Sequence, residues 1–290
     1  IPIPPAGELP YRLTSAQGLS HNTVLSIFAA PKTNIWLGMD IGISHVNLSS
    51  RFRVYNDAKG QIGTVYTSIV HKGDLYLGTN QGLFVKSRNN SGDFNFIEGT
   101  SGQVWTLKVI DEQLFCGHDL GTMIIKKGKV TTKITEANGT WDFKKIKGSN
   151  FVLQGNYSGL HVLENKSGVW RYRNKIEGFD ISSLHVELTK DNDILVSHEY
   201  KGVYRLKLSE DLKEVEDIFQ INIKRTRHSS LIKLNDEIYY LCPDGFFRYD
   251  AEVKDFSLVS VSTEMFSSDN YVSGKMVVDV QNRIWTFFNK

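Results

Sequence analysis

The chain has 290 residues, of which 40% are apolar, 11% aromatic and 23% charged, with 34 Lys and Arg against 32 Asp and Glu. That length suits one large domain or two small ones with ample core material, and a formal net charge of +2 excludes a whole-molecule field that would steer it to nucleic acid or an anionic membrane. Apolar runs stay at strand length, short of the roughly 20 residues a spanning helix needs, and two cysteines make neither a disulfide framework nor a zinc site.

The amino end, Ile1-Pro2-Ile3-Pro4-Pro5, lacks the basic and apolar regions of a secretory signal and reads as a segment of something longer. Residues 10–14 are strand-like. Short aromatic-rich runs ending in glycine then recur: Ile35-Trp36-Leu37-Gly38, Leu75-Tyr76-Leu77-Gly78, Leu114-Phe115-Cys116-Gly117 and Phe151-Val152-Leu153-Gln154-Gly155. A second glycine follows each at the fourth position, at Gly42, Gly82, Gly121 and Gly159. Gly202 and Gly245 continue the series where the first glycine is lost, at His198 and Leu241. The second glycines step by 40, 39, 38, 43 and 43 residues, and Arg283-Ile284-Trp285-Thr286 starts a seventh copy.

Each copy predicts four short strands, a to d. The second has strands at 65–70, 75–78, 83–86 and 94–98, rich in Val, Tyr and Phe and separated by Lys72-Gly73-Asp74, Asn80-Gln81-Gly82 and an Asn/Ser/Gly loop. The second glycine sits where a tight b–c turn asks for positive φ or close backbone packing. No window has a convincing helical period, so helix is expected to be near zero. The copies span approximately 23–55, 64–98, 103–135, 140–176, 181–219, 227–259 and 271–290, the last joined by 10–14, with its inner strands at 276–280 and 284–288. A four-stranded unit of this size cannot bury both faces alone, so copies stack. The expected fold is all-β, a seven-bladed β-propeller of four-stranded blades whose last blade is closed by strands from both chain ends.

Two stretches carry a family resemblance. Gly18-Leu19-Ser20-His21-Asn22-Thr23-Val24-Leu25-Ser26-Ile27-Phe28, followed by Asn34-Ile35-Trp36-Leu37-Gly38-Met39-Asp40-Ile41-Gly42-Ile43, resembles the two-component regulator propeller repeat, roughly G-L-S-x-N-x-V-x-x-I and then W-[IL]-G-T-x-x-G-[IL]. Asn80-Gln81-Gly82-Leu83-Phe84 is a second match; later copies are degenerate. The resemblance implies the extracytoplasmic sensor of a Bacteroidetes-type membrane regulator, in which such propellers come in pairs. A β-sandwich with a triple-tyrosine motif, a membrane helix and a kinase or helix-turn-helix output follow them. It also implies a periplasmic location.

Loops d–a and b–c gather at one end of a propeller and are the usual place for ligands. Their amides, hydroxyls and aromatics suit a neutral or mildly anionic polyhydroxylated ligand such as a glycan. Tyr66, Trp105 and Trp141 occupy equivalent places at the start of strand a and would form a stacking platform for sugar rings; the competing reading packs them between blades, as Val24 in the first copy. From the b–c turns, His118, Asn156, Tyr157, Glu199 and Tyr200 join the candidate ligand-binding set. His118-Asp119 and His198-Glu199 could act as metal ligands or bases, although neighbours on a turn usually point apart and no third ligand is spaced for them. Arg227, in Lys224-Arg225-Thr226-Arg227-His228, could pair with sulfate, uronate or phosphate, or be a solvated loop. Cys116 and Cys242 read as buried free thiols.

The expectation is a non-catalytic sensing propeller with no cofactor and no metal. Its expected partners are a carbohydrate ligand, the neighbouring propeller and β-sandwich of the same longer chain, and a second copy in a homodimer, with no nucleic acid and no membrane insertion by this region. Two other readings stay open. One is a propeller lyase or hydrolase acting on a polysaccharide, with His118, His198 and Arg227 converging on one cavity; the other is a protein-interaction scaffold.

Overall fold

The computed structural model describes residues 13–15, 18–31, 34–49, 57, 60–87, 93–224, 228–259 and 271–288. The chain divides into two compact units, Ile1–Gly63 and Thr64–Lys290. Among the described residues there is no α-helix.

The first unit is one antiparallel sheet of β1 (Val24–Ala30), β2 (Asn34–Met39) and β3 (Ile43–Asn47). Leu19, Leu37 and Met39 form its small core, with Leu13, Ile35 and Val46 packed against them. The expected d-strand, running to residue 55, falls outside the described residues, as do residues 10–12 of the expected closing strand. Leu13 and Thr14 are not strand: the Thr14 carbonyl accepts the Leu19 N–H at 3.3 Å, a turn connection.

The second unit holds five four-stranded antiparallel sheets, each a meander in chain order. They are β4 (Val65–His71), β5 (Asp74–Thr79), β6 (Leu83–Ser87) and β7 (Asn95–Phe96); β8 (Val104–Ile110), β9 (Gln113–His118), β10 (Gly121–Lys126) and β11 (Lys129–Ile134); then β12 (Asp142–Lys145), β13 (Phe151–Asn156), β14 (Gly159–Lys166) and β15 (Val169–Lys175). The fourth and fifth are β16 (His185–Leu188), β17 (Ile194–His198), β18 (Gly202–Leu208) and β19 (Val215–Ile221), followed by β20 (Ser230–Leu234), β21 (Glu237–Cys242), β22 (Gly245–Asp250) and β23 (Asp255–Leu258). A two-stranded sheet of β24 (Tyr271–Val278) and β25 (Ile284–Phe288) ends the described chain. The first strands of successive sheets, β4, β8, β12, β16, β20 and β24, contact one another in sequence, as the inner strands of β-propeller blades do.

Strand alternation explains the apolar runs of the b-strands. Leu114 and Cys116 point into a cluster shared with the preceding sheet, alongside Tyr76, Leu83 and Ile97. Phe115, between them, points the other way, to Phe143, Val152 and Trp170 of the following sheet. Leu153, Val186 and Val196 fill the next interface, and Leu195, Leu231 and Tyr240 the one after it. A strand buried on both faces has no polar side to present, so period two disappears from its sequence.

The two glycines of each repeat do different work. At Gly121 φ is +121°, and an added Cβ would lie 2.2 Å from the Ile134 carbonyl oxygen, so both turn and packing demand glycine. Gly155 has ordinary extended backbone. There a Cβ would lie 2.3 Å from the Ser183 carbonyl oxygen of the next sheet's entering loop, so this glycine is a point of close approach between sheets. In the fifth copy the glycine position is Ser197 rather than His198, because His198 pairs with Gly202 as Asn156 pairs with Gly159, and the turn is one residue longer. The final a-strand also differs from its expected span of 276–280. It begins at Tyr271 and stops at Val278, where the Asp279 carboxylate accepts backbone N–H groups from Gln281 and Arg283 and the Trp285 indole N–H at 2.8 Å.

Candidate functional site

A register shift at the start of β4 and of β8 decides where the aromatic side chains go. In β4 the pairing passes from Val65↔Thr79 to Thr67↔Gly78, leaving Tyr66 as the extra residue of a bulge. Trp105 is the extra residue between Val104↔His118 and Thr106↔Gly117. Trp141 stands at the same place before Asp142↔Gly155, its N–H donating to the Gly155 carbonyl at 2.8 Å. A bulge re-aims the side chain it carries. The first unit repeats the pattern between Val24 and Ser26, so Leu25, not Val24, is the counterpart of Tyr66, and it is exposed.

Re-aimed in this way, the three aromatics meet each other instead of disappearing between sheets. Tyr66 and Trp105 have ring centroids 4.8 Å apart, and Trp105 and Trp141 are 4.5 Å apart. Tyr157, from the b–c turn after β13, extends the row: its ring lies 5.2 Å from Trp141, edge to face, and its hydroxyl accepts the Trp105 indole N–H at 2.9 Å. Tyr66, Trp105 and Trp141 are half-buried and Tyr157 is exposed. The result is a continuous aromatic ladder across three sheets with one side open to solvent. Tyr157 rests on Gly139, where an added Cβ would lie 2.2 Å from its ring. Burial pushes the Tyr157 phenol up, so it is a neutral hydrogen-bonding group.

Other candidate residues support this ladder or stand apart from it. Asn156 is fully buried; its side-chain N–H groups donate to the carbonyls of Ala137 at 3.3 Å and Asn138 at 3.0 Å, tying down the loop that carries Gly139. His118 is also fully buried. Its Nδ1 accepts the Leu120 N–H at 3.0 Å and its Nε2 lies 3.3 Å from the Thr100 carbonyl, so both nitrogens are committed to the turn. Asp119 Oδ1 is 2.5 Å from His118 Nδ1; the neighbours touch instead of pointing apart. Asn156 and His118 are thus placed as loop anchors, their side chains shut away from a ligand. Tyr200 is exposed and faces His198 at 6.0 Å, with Glu199 half-buried in the same turn of the fifth copy. Burial and Lys201 lower the His198 pKa. Arg227 lies outside the described residues. Cys116 and Cys242 are buried free thiols, and burial pushes Cys116 up to about 12.

A second group of side chains, outside the candidate set, lies along the inner strands. Equivalent register positions carry Lys108, Lys144 and Glu187, opposite Phe115, Leu153 and Leu195; one step nearer the ladder stand Asp142 and His185. Lys144 Nζ is 2.7 Å from Glu187 and 3.7 Å from Asp142, and Lys108 Nζ is 3.7 Å from Asp142. The Asp142 carboxylate also accepts the Phe143 N–H at 2.8 Å and the Val186 N–H at 3.3 Å. Against the cost of burial, these partners hold the Asp142 carboxyl below its usual range and the Lys144 ammonium above its own. Lys275 of β24 is close enough to be lowered by burial and by Lys108, and burial drives His185 down to about 4. Polar residues at every second a-strand position, in Thr106-Leu107-Lys108, Asp142-Phe143-Lys144 and His185-Val186-Glu187, are the sequence signal for this row. At the opposite end of the strands, an open cavity of about 380 Å³ is lined by charged residues including Lys190, Glu237, Arg248 and Glu252, with no aromatic ladder. Among the described residues, no three His, Cys, Asp or Glu side chains are grouped to hold a metal.

This architecture recurs in solved structures. An extracellular domain assigned to the hybrid two-component system BT3049 of B. thetaiotaomicron matches at a TM-score of 0.64 and 16% identity, over 92% of this chain and 38% of that one. The WD40 β-propeller domain of Doa1 matches at 0.52 and 12% identity, over 89% of this chain and 83% of that one. The computationally designed Ika8 protein matches at 0.50 and 13% identity, over 78% and 70%. No family model and no curated protein matches the sequence. At such identities the likeness is one of fold. The chain spans 38% of the length of the B. thetaiotaomicron protein. No helix among the described residues is long and apolar enough to cross a membrane.

Proposed function

We propose that this chain is a non-catalytic glycan-sensing β-propeller of seven blades, from the extracytoplasmic part of a bacterial signal-transduction regulator. The observation that carries the ligand class is the open ladder of Tyr66, Trp105, Trp141 and Tyr157. Rigid aromatic faces bind the C–H faces of sugar rings at low entropic cost, and the Tyr157 hydroxyl, which accepts the Trp105 indole N–H, keeps its own O–H to donate to a ligand. The sensory setting and the periplasmic location are supported by the propeller-repeat resemblance and by the likeness to an extracellular two-component domain. Signalling then requires that the ligand favour one arrangement of this chain with a neighbouring propeller, β-sandwich or second copy over another.

The test is titration of tryptophan fluorescence with a panel of neutral and acidic oligosaccharides. Saturable quenching is expected with at least one, weakened roughly thirtyfold in Trp105→Ala, the size of a binding hot spot. No saturable change with any member of the panel overturns the reading. A polysaccharide lyase or hydrolase is the second reading, and its supporting observation is the convergence of Asp142, Lys144, His185 and Glu187 beside the ladder. Most of those groups are already held in mutual ion pairs, which favours binding over chemistry. Chain-length analysis of each oligosaccharide after prolonged incubation separates the two: shortened products establish the enzyme.

A further inference from the structure

The open cavity of about 380 Å³, at the opposite end of the strands from the aromatic ladder, is lined by residues of the fourth and fifth sheets of the second unit. We propose that it binds a small zwitterion, a molecule of amino-acid or dipeptide size that carries one ammonium and one carboxylate group. Thr189 and Lys190 come from the β16–β17 turn; Glu237 comes from β21, Arg248 and Asp250 from β22, and Glu252 from the β22–β23 turn. The two sheets are tied together at this end. Lys233 Nζ donates to the Leu188 carbonyl at 3.0 Å, and Lys254 Nζ stands 3.9 Å from the Asp193 carboxylate, which Arg205 holds at 2.9 Å. Walls fixed before a ligand arrives lower the ordering cost of binding it. The volume lies within the range of small-molecule sites, roughly 300–1,000 Å³.

The charges on these walls are incompletely paired. Lys190 on the fourth sheet and Glu252 on the fifth have no ion pair among the described residues. Arg248 reaches Glu237 only at 3.6 Å and keeps half of its side chain exposed. Asp250 accepts the N–H groups of Glu252 and Val253 through Oδ1 alone, which leaves Oδ2 uncommitted. Opposite charges that line one cavity without meeting are complementary to a ligand that carries both signs. Its carboxylate takes Lys190 and Arg248, and its ammonium takes Glu252 and Asp250. Thr189, in the same lining, is 7% exposed, and its buried hydroxyl has no hydrogen-bond partner among the described residues. A buried hydroxyl left unbonded is costly, and a polar ligand group satisfies it. Among the described residues no three carboxylates are grouped to hold a metal, so the positive end of the ligand is an organic ammonium. The site shares no residue with the ladder and does not rest on the glycan reading.

Calorimetry on the chain with serine, glycylserine, acetate and ethylammonium at matched ionic strength tests it. Saturable binding is expected with serine or glycylserine, and binding at least about tenfold weaker with acetate and ethylammonium, each of which lacks one of the two charges. Tighter binding of serine assigns the site to a free amino acid; tighter binding of glycylserine assigns it to a short peptide. Lys190→Met and Glu252→Gln, at exposed turn positions, should each weaken binding about tenfold and leave the melting temperature unchanged. Thr189→Val exchanges an unbonded hydroxyl for a methyl group. The unliganded variant should melt at or above the parent's temperature while binding weakens about threefold to tenfold. No saturable binding of either zwitterion, single-charge analogues that bind as tightly, or Lys190, Glu252 and Thr189 variants that bind as well as the parent would each overturn the proposal. Those results leave the ladder reading untouched, since oligosaccharide quenching in Glu252→Gln should match the parent and zwitterion binding in Trp105→Ala should do the same.

Discussion

Tyr157 joins two kinds of contact in one side chain, a ring against Trp141 and a hydroxyl on the Trp105 indole. Tyr157→Phe keeps the first and removes the second, so oligosaccharide binding is expected to weaken only about threefold to tenfold, the worth of one neutral hydrogen bond. Gly139→Ala acts more severely. Its φ of +69° strains any side chain, and its Cβ would sit 2.2 Å from the Tyr157 ring. The ring must leave the ladder, and binding should fall at least as far as in Tyr157→Phe, with unfolding easier by about 1 kcal/mol. Fluorescence titration and urea unfolding of the two variants check both. The repeat alignment made Tyr66, Trp105 and Trp141 legible as one position. That they touch was not legible, because a one-residue bulge swings each side chain out of the strand's alternation. The same alignment offered His118 and Asn156 as ligand contacts, and burial makes them loop anchors.

At the scale of the element, each four-stranded sheet is a meander; β9, β13 and β17 are b-strands buried on both faces, and β4 and β8 are a-strands that start with a bulge. Close approach at the first glycine sets the distance between blades. Gly155→Ala leaves the backbone conformation comfortable but drives a methyl group to 2.3 Å from the Ser183 carbonyl oxygen. A destabilisation of about 1–3 kcal/mol is expected, as for overpacking in a core. Gly148→Ala is the contrast: nothing lies within 4 Å of its Cβ, and only the φ of +74° opposes it. Its cost should stay near 1 kcal/mol. Urea unfolding of both separates crowding between sheets from strain within a turn. The strands of the second copy and the b-strands of the copies after it were readable from the sequence because turns and apolar runs alternate at short range. The longer turn at His198 was not, since one added residue leaves the glycine spacing looking intact while shifting the pairing.

For the whole molecule, acid is the condition that engages several sites at once. His161 is buried beside Tyr172, its Nδ1 within 3.2 Å of the tyrosine hydroxyl, and burial with Lys175 nearby lowers its pKa to about 4. His185 is lowered to about 4 by burial. Both would titrate near 6.5 in the unfolded chain. Between those values the unfolded state binds more protons, so stability is full above pH 6.5 and is lost as pH falls toward about 4. Each histidine contributes on the order of 3 kcal/mol to that loss. Asp142, held below the usual carboxylate range, extends the loss to lower pH as it protonates. Melting temperatures across this range should fall steeply, and His161→Gln should flatten the upper part of the curve.

The sequence by itself determined the repeat, the all-β class, the four-strand meander and the place of the aromatics at the mouth of three successive sheets. Those follow from short-range physics, in which turn residues and apolar runs report their own neighbourhood. Only the tertiary structure decided that Tyr66, Trp105, Trp141 and Tyr157 form one surface, that Asn156 and His118 face inward, and that Lys108, Asp142, Lys144, His185, Glu187 and Lys275 gather on the inner strands. Residues such as Lys108 and Asp142, or Lys144 and Glu187, a whole repeat apart in the sequence, come together there because successive sheets place equivalent register positions side by side, and no local pattern encodes that meeting.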